Sequence, residues 1–142
     1  MTSQDNRTEK RKTGDIGENI ACNFLEKRGF VILDRNYLKK WGEIDIVAQK
    51  GNVIRFIEVK TVRIRDGELR EVTCGTKNSV SHGTYRPEDN VHPQKLRRLA
   101  RTMQTYLLEK RIDGDWQLDI VTVKMDQKSR MARVEIIENI II

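Results

Sequence analysis

The sequence predicts a single α/β domain of three layers, in which a central mixed β-sheet is flanked by helices. Two segments carry apolar residues at helical spacing, and the segments around them are rich in Ile, Val and Phe and short enough to be strands. The 142 residues suffice to bury one core, and no internal repeat or Pro/Gly/Ser-rich linker divides them. The predicted order is α-β-β-β-α-β-β.

The first thirteen residues are predicted to form a disordered basic arm, because they carry four cations and almost nothing apolar. The folded domain is expected to occupy residues 14–142. Its first helix is predicted to begin at Asp15, whose carboxylate can cap backbone N–H groups, and to end at Gly29.

Three predicted strands follow this helix. The first covers Phe30–Asn36. The next two, Gly42–Ala48 and Phe56–Lys60, are joined by the turn-forming residues Gln49–Asn52, which predicts an antiparallel hairpin. Residues 61–91 show no lasting periodicity and contain Gly, Pro and basic residues. This segment is predicted to be a long basic loop, either a flap that orders on nucleic acid or a disordered segment unrelated to function, although its first residues can prolong the strand.

The second half of the chain predicts one helix and two strands. The helix covers Pro93 to about Lys110, and its apolar face consists of Leu96, Leu99, Ala100, Met103 and Leu107. The strands cover Trp116–Lys124 and Val134–Ile142. Asp119 interrupts the first of them and is expected to make a structural hydrogen bond or salt link. The apolar end, Ile136–Ile142, should be covered by the fold or by a second subunit.

The central hairpin carries charged residues where apolar ones would be expected. Asp, Glu and Lys are rarely buried unless they are paired or bind something. Glu58 and Lys60 share a face because strand side chains alternate, and strand pairing can bring Asp45 beside them. Two carboxylates next to an ammonium can hold a divalent metal while the Lys positions or deprotonates a water. The alternative is structural: Asp45 caps a turn, and Glu58 and Lys60 form a weak surface ion pair.

Asp45 followed by Glu58-Val59-Lys60 on the next strand resembles the signature of the PD-(D/E)XK nuclease superfamily. Further short motifs accompany it in order: Gly17-Glu18, then Ile32–Tyr37 after Gly29, Gly42–Asp45 and Glu58–Thr61. This series resembles the YraN family of small bacterial proteins, which is similar in turn to archaeal Holliday junction resolvases. The likeness covers most of the chain, from about Gly14 to Val123.

The resemblance implies a restriction-endonuclease-like fold and metal-dependent hydrolysis of phosphodiester bonds, with DNA as the favoured substrate and branched DNA by analogy. It implies that Asp45 and Glu58 ligate Mg²⁺ or Mn²⁺, and that Lys60 orients the attacking water or stabilises developing charge. Glu18 would point into the active site and assist there. Glu18 also completes a capping box with Asp15, which would be purely structural. A homodimer is plausible, as in resolvase-like relatives.

The charge distribution is consistent with a polyanionic substrate. The net charge is +6, and the basic surplus lies in residues 61–111. A basic surface beside an acidic metal site suits a phosphate backbone, although solvated surface charge is the alternative. The candidates for nucleic-acid contact are Lys39, Lys40, Arg63, Arg65, Lys95, Arg98 and Arg101. Trp41 is expected to pack in the fold or to stack on an unpaired base. A protein that keeps the nuclease fold and binds nucleic acid without cutting it is the second hypothesis.

Other features point to a cytoplasmic protein. No apolar run approaches the length of a membrane span, and the polar start is not a secretory signal. Cys22 and Cys74 are expected to be free thiols, and His82 and His92 lack zinc-site spacing and are expected to be ordinary loop residues.

Overall fold

The computed structural model describes residues 8–64, 93–126 and 128–141. Two helices and five strands follow one another in the predicted order. They are α1 Glu9–Lys27, β1 Val31–Lys39, β2 Gly42–Lys50, β3 Val53–Ile64, α2 Pro93–Glu109, β4 Trp116–Asp126 and β5 Met131–Ile137. Neither helix in these residues has the length and apolar character that a membrane crossing requires.

The five strands form one mixed sheet in the order β1-β2-β3-β4-β5. The first three form an antiparallel meander. Strand β4 returns parallel to β3 after α2, and β5 pairs antiparallel with β4. A parallel neighbour needs a crossover connection, and α2 lies within it. The α/β fold with a mixed sheet is therefore confirmed, and β3 is its central strand.

The two helices pack on opposite faces of the sheet and form two cores. On the α1 side, Ala21 and Leu25 pack against Ile46 and Ile57. On the α2 side the core contains Leu99, Met103, Tyr106, Val47 and Phe56. Adjacent residues of a strand point to opposite faces, so β2 and β3 supply both cores from consecutive positions. This gives the three predicted layers.

Helix α1 begins at Glu9, six positions before the predicted start at Asp15. Thr8 is the N-cap, and its Oγ1 accepts a hydrogen bond from the backbone N–H of Arg11 at 3.2 Å. The disordered arm is thus wrong for residues 9–13. These residues lack apolar periodicity, but they are Glu, Lys, Arg and Thr, and the first three favour helices strongly. Residues 1–7 lie outside the described part of the chain.

The remaining boundaries differ from the predictions by a few residues. Strand β1 continues to Lys39, and β3 continues through Ile64, so the first residues of the predicted loop do prolong the strand. Residues 65–92 are not among the described residues. The predictions for the rest of the loop, for Arg65, for Cys74 and for both histidines therefore lie outside the described part of the chain. Cys22 is a buried free thiol.

The C-terminal strand is shorter than predicted because the chain turns after Ile137. Asn139 has a left-handed φ of 59°, and its N–H donates to Asp119 Oδ1 at 2.9 Å. Asp119 also receives Arg55 Nη1 on Oδ2 at 2.9 Å, which confirms its predicted structural role. The tail is covered only in part: Ile140 packs against the α2-side core, whereas Ile141 is 91% exposed.

Candidate active site

The candidate site lies where β2 and β3 separate. Their ladder runs from Lys50 and Val53 to Ile46 and Ile57 and ends there. Asp45 is the next residue of β2, and its Oδ2 accepts a hydrogen bond from the backbone N–H of Val59 at 2.8 Å. A side-chain carboxylate therefore accepts a hydrogen bond from a strand N–H that lies beyond the end of the β2–β3 ladder. We call this point, from Asp45 to Val59, the fork.

Asp45 lies opposite an irregular residue of β1. The β1–β2 ladder pairs Arg35 with Ile46 and Tyr37 with Ile44, and it omits the intervening pair of Asn36, whose φ is 53°, and Asp45. Residues two apart in a regular strand share a face, yet Ile44 belongs to the α2-side core and Ile46 to the α1-side core. Asp45 thus lies at the boundary between the two faces of the sheet.

Two clefts, one on each face, border Asp45. The α1-side cleft has a volume of about 420 Å³ and is lined by Glu9, Lys10, Thr13, Gly14, Glu18, Asp45, Val59, Thr61 and Arg63. The α2-side cleft has a volume of about 410 Å³ and is lined by Gly42, Glu43, Asp45, Glu58, Lys95, Arg98 and Leu99. Asp45 is the residue that they share.

Glu58 and Lys60 point toward the α2 side, as does Phe56 of the same strand. Lys95, from the first turn of α2, places Nζ 3.0 Å from Glu58 Oε1. Burial and the neighbouring Lys95 ammonium lower the pKa of Lys60. Glu58 thus forms its ion pair with Lys95, whereas the structural alternative had paired it with Lys60.

The carboxyl group of Asp45 is strongly perturbed. Burial and then the charge of Glu58 raise its pKa to about 8, while the Val59 N–H acts in the opposite direction. Glu18 and Glu43 add smaller increases. Asp45 and Glu58 line the same α2-side cleft, so the structure brings these two predicted site residues together. Two carboxylates that repel each other in a half-buried position provide a place for a cation.

Glu18 also lies next to Asp45, on the α1 side. Its carboxyl pKa is raised by burial and, to a smaller extent, by Glu43, while Arg35, 3.9 Å away, opposes the increase. The Asn36 amide, with its nitrogen turned toward the acids, donates to Glu18 Oε1 at 2.9 Å and to Glu43 Oε1 at 3.2 Å. Sequence reasoning missed Asn36 and Glu43. Glu43 could have been found, because it lies two residues before Asp45 on the same strand.

Close packing of α1 on β3 brings Glu18 to the site. A Cβ atom added to Gly17 would overlap the side chain of Thr61, so the helix approaches the strand more closely than any larger residue allows. The capping-box interpretation of Glu18 is wrong, because the N-cap is Thr8 and Asp15 lies inside the helix, in its second turn.

The other predicted nucleic-acid contacts are distributed around the fork. Arg98 lines the α2-side cleft. Arg63 lines the α1-side cleft and lies 3.9 Å from Glu9. Lys40 is exposed in the β1–β2 turn, while Lys39 forms an ion pair with Glu109 at 2.6 Å.

Trp41, in the same turn, is partly buried beneath a helical cation. The Arg101 guanidinium lies 4.1 Å from the centre of the Trp41 ring. A guanidinium over an indole face is a stabilising cation–π contact. The packing interpretation of Trp41 is therefore favoured, and this contact joins the β1–β2 turn to α2.

The donor set suits Mg²⁺ or Mn²⁺ but does not form a complete protein cage. Within residues 8–64, 93–126 and 128–141, no three His, Cys, Asp or Glu residues are arranged to hold a metal together. Mg²⁺ commonly keeps several waters and binds through one or two carboxylates and the substrate phosphate. Asp45 and Glu58, which line one cleft, would supply two such ligands, so the residues present fit this class of cation.

Comparison with known proteins gives a consistent family. Residues 17–123 match the model described as "Uncharacterised protein family UPF0102". A UPF0102 protein of Campylobacter jejuni is 36% identical over 113 residues, which cover 80% of this chain and 84% of the relative. The UPF0102 protein of Moorella thermoacetica is 37% identical over 130 residues, covering 91% and 94%. That of a Sulfurovum species is 35% identical over 128 residues, covering 89% and 91%.

Proposed function

This chain belongs to the uncharacterised protein family UPF0102, and we propose that it is a metal-dependent endonuclease that hydrolyses phosphodiester bonds of DNA. The observation that carries the proposal is the convergence of Asp45 and Glu58 at the fork, with the ammonium groups of Lys60 and Lys95 on the same side. Paired carboxylates beside cations are the groups that phosphoryl transfer needs. The resemblance to PD-(D/E)XK nucleases rests on the same residues.

Each residue has a distinct proposed role. Asp45 and Glu58 would hold Mg²⁺ or Mn²⁺, which when bound would supply an acidified water and a Lewis acid for the phosphate. Lys60, on the same face as Glu58, orients that water or stabilises negative charge that develops on the phosphate. Glu18 lies on the other side of Asp45 and can accept a hydrogen bond from a water there. The Val59 N–H keeps the Asp45 carboxylate oriented.

The cations around the fork support a polyanionic substrate. Lys95 and Arg98 face the α2-side cleft, and Arg63 faces the α1-side cleft. Phosphate contacts of this kind position a nucleic acid without reading its sequence. A substrate of branched DNA, and a homodimer that would act on both strands of it, remain proposals from the resemblance. Light scattering at several protein concentrations would test the dimer.

The test is cleavage of linear and four-way-junction DNA with Mn²⁺, in the wild type and in the variants Asp45→Asn and Lys60→Ala. We expect metal-dependent cleavage by the wild type, its loss in both variants, and retention of DNA binding in each. Arg97→Ala, which removes a cation from the exposed surface of α2, is the control and should still cut. Binding without cleavage in the wild type would refute the nuclease proposal.

One observation favours a second candidate, a nucleic-acid-binding protein that does not cut. Lys95 already neutralises Glu58, and the described residues hold no three-ligand metal cluster. A site whose carboxylate is permanently paired with lysine would bind phosphate through the remaining cations and would lack catalysis. In that case, the affinity for DNA would not change when Mn²⁺ is added or chelated.

A further inference from the structure

Glu58, a proposed metal ligand, is paired with Lys95, and the inference drawn from this contact rests on the proposed function. Lys95 Nζ lies 3.0 Å from Oε1 of Glu58, the carboxylate that is proposed to hold the divalent cation. An ammonium paired with this carboxylate repels a metal cation and takes up one of the oxygens that the metal would use. The lysine therefore competes with the metal.

The two partners differ in how freely they can move. The side chain of Glu58 is only 17% exposed and belongs to the central strand, whereas that of Lys95 is 57% exposed and lies in the first turn of α2. An ion pair with a partner this exposed is weak, and a lysine side chain has many rotamers. Moving the Lys95 side chain therefore costs less free energy than moving Glu58, and it leaves the Glu58 carboxylate able to bind a cation.

The Lys95 side chain lines a cleft that also contains a second cation. The cleft that Lys95 lines is bordered by Arg98 as well as by Glu43, Asp45 and Glu58. Once a divalent cation neutralises the carboxylates, the Lys95 ammonium lies in a cleft where it can bind an anion. A phosphate group bound through Arg98 would provide it.

We propose that Lys95 is an exchangeable cation: it holds Glu58 in the metal-free protein, is displaced by the divalent ion, and then binds the substrate phosphate. Metal and phosphate consequently bind with positive coupling, because the metal releases a phosphate ligand. By linkage, bound phosphate favours the metal to the same extent. Lys95 thus serves as a positioning residue for the proposed reaction and makes metal binding a condition for tight binding of substrate.

The primary test measures Mn²⁺ alone, by calorimetric titration of the metal-free full-length protein. Removing the competitor in Lys95→Ala should tighten Mn²⁺ binding by about two- to fivefold, the range expected for a partly exposed charge pair. Lys95→Arg should weaken it, because a guanidinium binds a carboxylate through two hydrogen bonds. Arg98→Ala also removes one positive charge from this cleft and is the control for that loss of charge. Its effect on Mn²⁺ affinity should be smaller than that of Lys95→Ala.

The second measurement is the affinity for a short duplex DNA with and without Ca²⁺, chosen so that binding is read without turnover. Ca²⁺ should raise the affinity of the wild type by a larger factor than that of Lys95→Ala. If Mn²⁺ binds the wild type and Lys95→Ala equally, the exchange is refuted while the metal site stands. If neither protein binds Mn²⁺, both the exchange and the nuclease proposal fail.

Discussion

Replacement of Asp45 by asparagine is expected to stabilise the protein when no divalent cation is present. Burial and the charge of Glu58 raise the carboxyl pKa from 3.8 to about 8 in the folded state. The folded protein thus favours the protonated acid, and its stability falls as the pH rises through the interval from about 4 to about 8. Asparagine resembles the protonated acid in shape, and its side-chain oxygen can still accept from Val59 N–H.

The size of the effect follows from the pKa interval. Each pH unit between the unfolded and the folded pKa corresponds to about 1.4 kcal/mol, which gives an upper limit of about 4 kcal/mol at pH 7. Relaxation of the half-buried site and entry of water reduce this, so we expect about 2 kcal/mol, or an increase in Tm of about 5 °C.

The assay is thermal unfolding with excess chelator at several pH values from 4 to 8. The difference in Tm between Asp45→Asn and the wild type should be small near pH 4 and should grow toward pH 8. Asp113→Asn is the control, because it makes the same chemical change at an exposed position between α2 and β4 and should show no such growth. Adding Mn²⁺ at pH 7 should raise the Tm of the wild type more than that of Asp45→Asn.

Two outcomes would contradict the reasoning. If Asp45→Asn is less stable than the wild type at pH 7, the hydrogen bond to Val59 outweighs the charge repulsion, and the carboxylate is structural. If the difference does not change with pH, Asp45 and Glu58 do not interact as the geometry indicates.

Three further substitutions test the framework of the site. Gly17→Ala should lower the free energy of unfolding by about 1 to 3 kcal/mol, because the added Cβ overlaps the facing threonine of β3. Gly14→Ala is the control, because a Cβ added there meets nothing within 4 Å. Equal urea midpoints for the two variants would contradict the close approach of α1 to β3. Asp119→Ala leaves Arg55 without its most buried partner, so it should lower the free energy of unfolding, measured in urea, by about 3 to 5 kcal/mol. A loss below about 1 kcal/mol would show that this ion pair is not needed for stability. Tyr106→Phe removes a 2.6 Å hydrogen bond to a β1 carboxylate and should cost about 1 kcal/mol, so an unchanged unfolding midpoint would argue against that bond.

The elements were predictable from the sequence because most of them carry a strong hydrophobic pattern. The start of α1 was not, because a polar, solvent-exposed turn has no apolar periodicity, and only the cap at Thr8 marks it. The end of β5 was missed for a different reason. The apolar run continues beyond it, but the contact of Asn139 with Asp119 depends on tertiary structure and turns the chain aside.

The sequence singled out Asp45, Glu58 and Glu18, which the structure brings to the fork, but it missed Asn36, Glu43 and the geometry. Strand alternation gives Glu58 and Lys60 one face, and the hairpin brings Asp45 into the same cleft as Glu58. The fork was not predictable, because the sequence does not mark where the β2–β3 ladder ends. Nor was the pairing of Lys95 with Glu58, which requires the position of α2 over the sheet.

The position of Asp45 between two clefts has a consequence for any molecule that binds on either side. A charged molecule bound in the α1-side cleft changes the electrostatic potential at Asp45, which also lines the α2-side cleft. Occupancy of one face should therefore be measurable as a change in affinity at the other, without any movement of the backbone. A small anion or cation that never approaches the substrate could in this way tune the protein from the opposite side of the sheet.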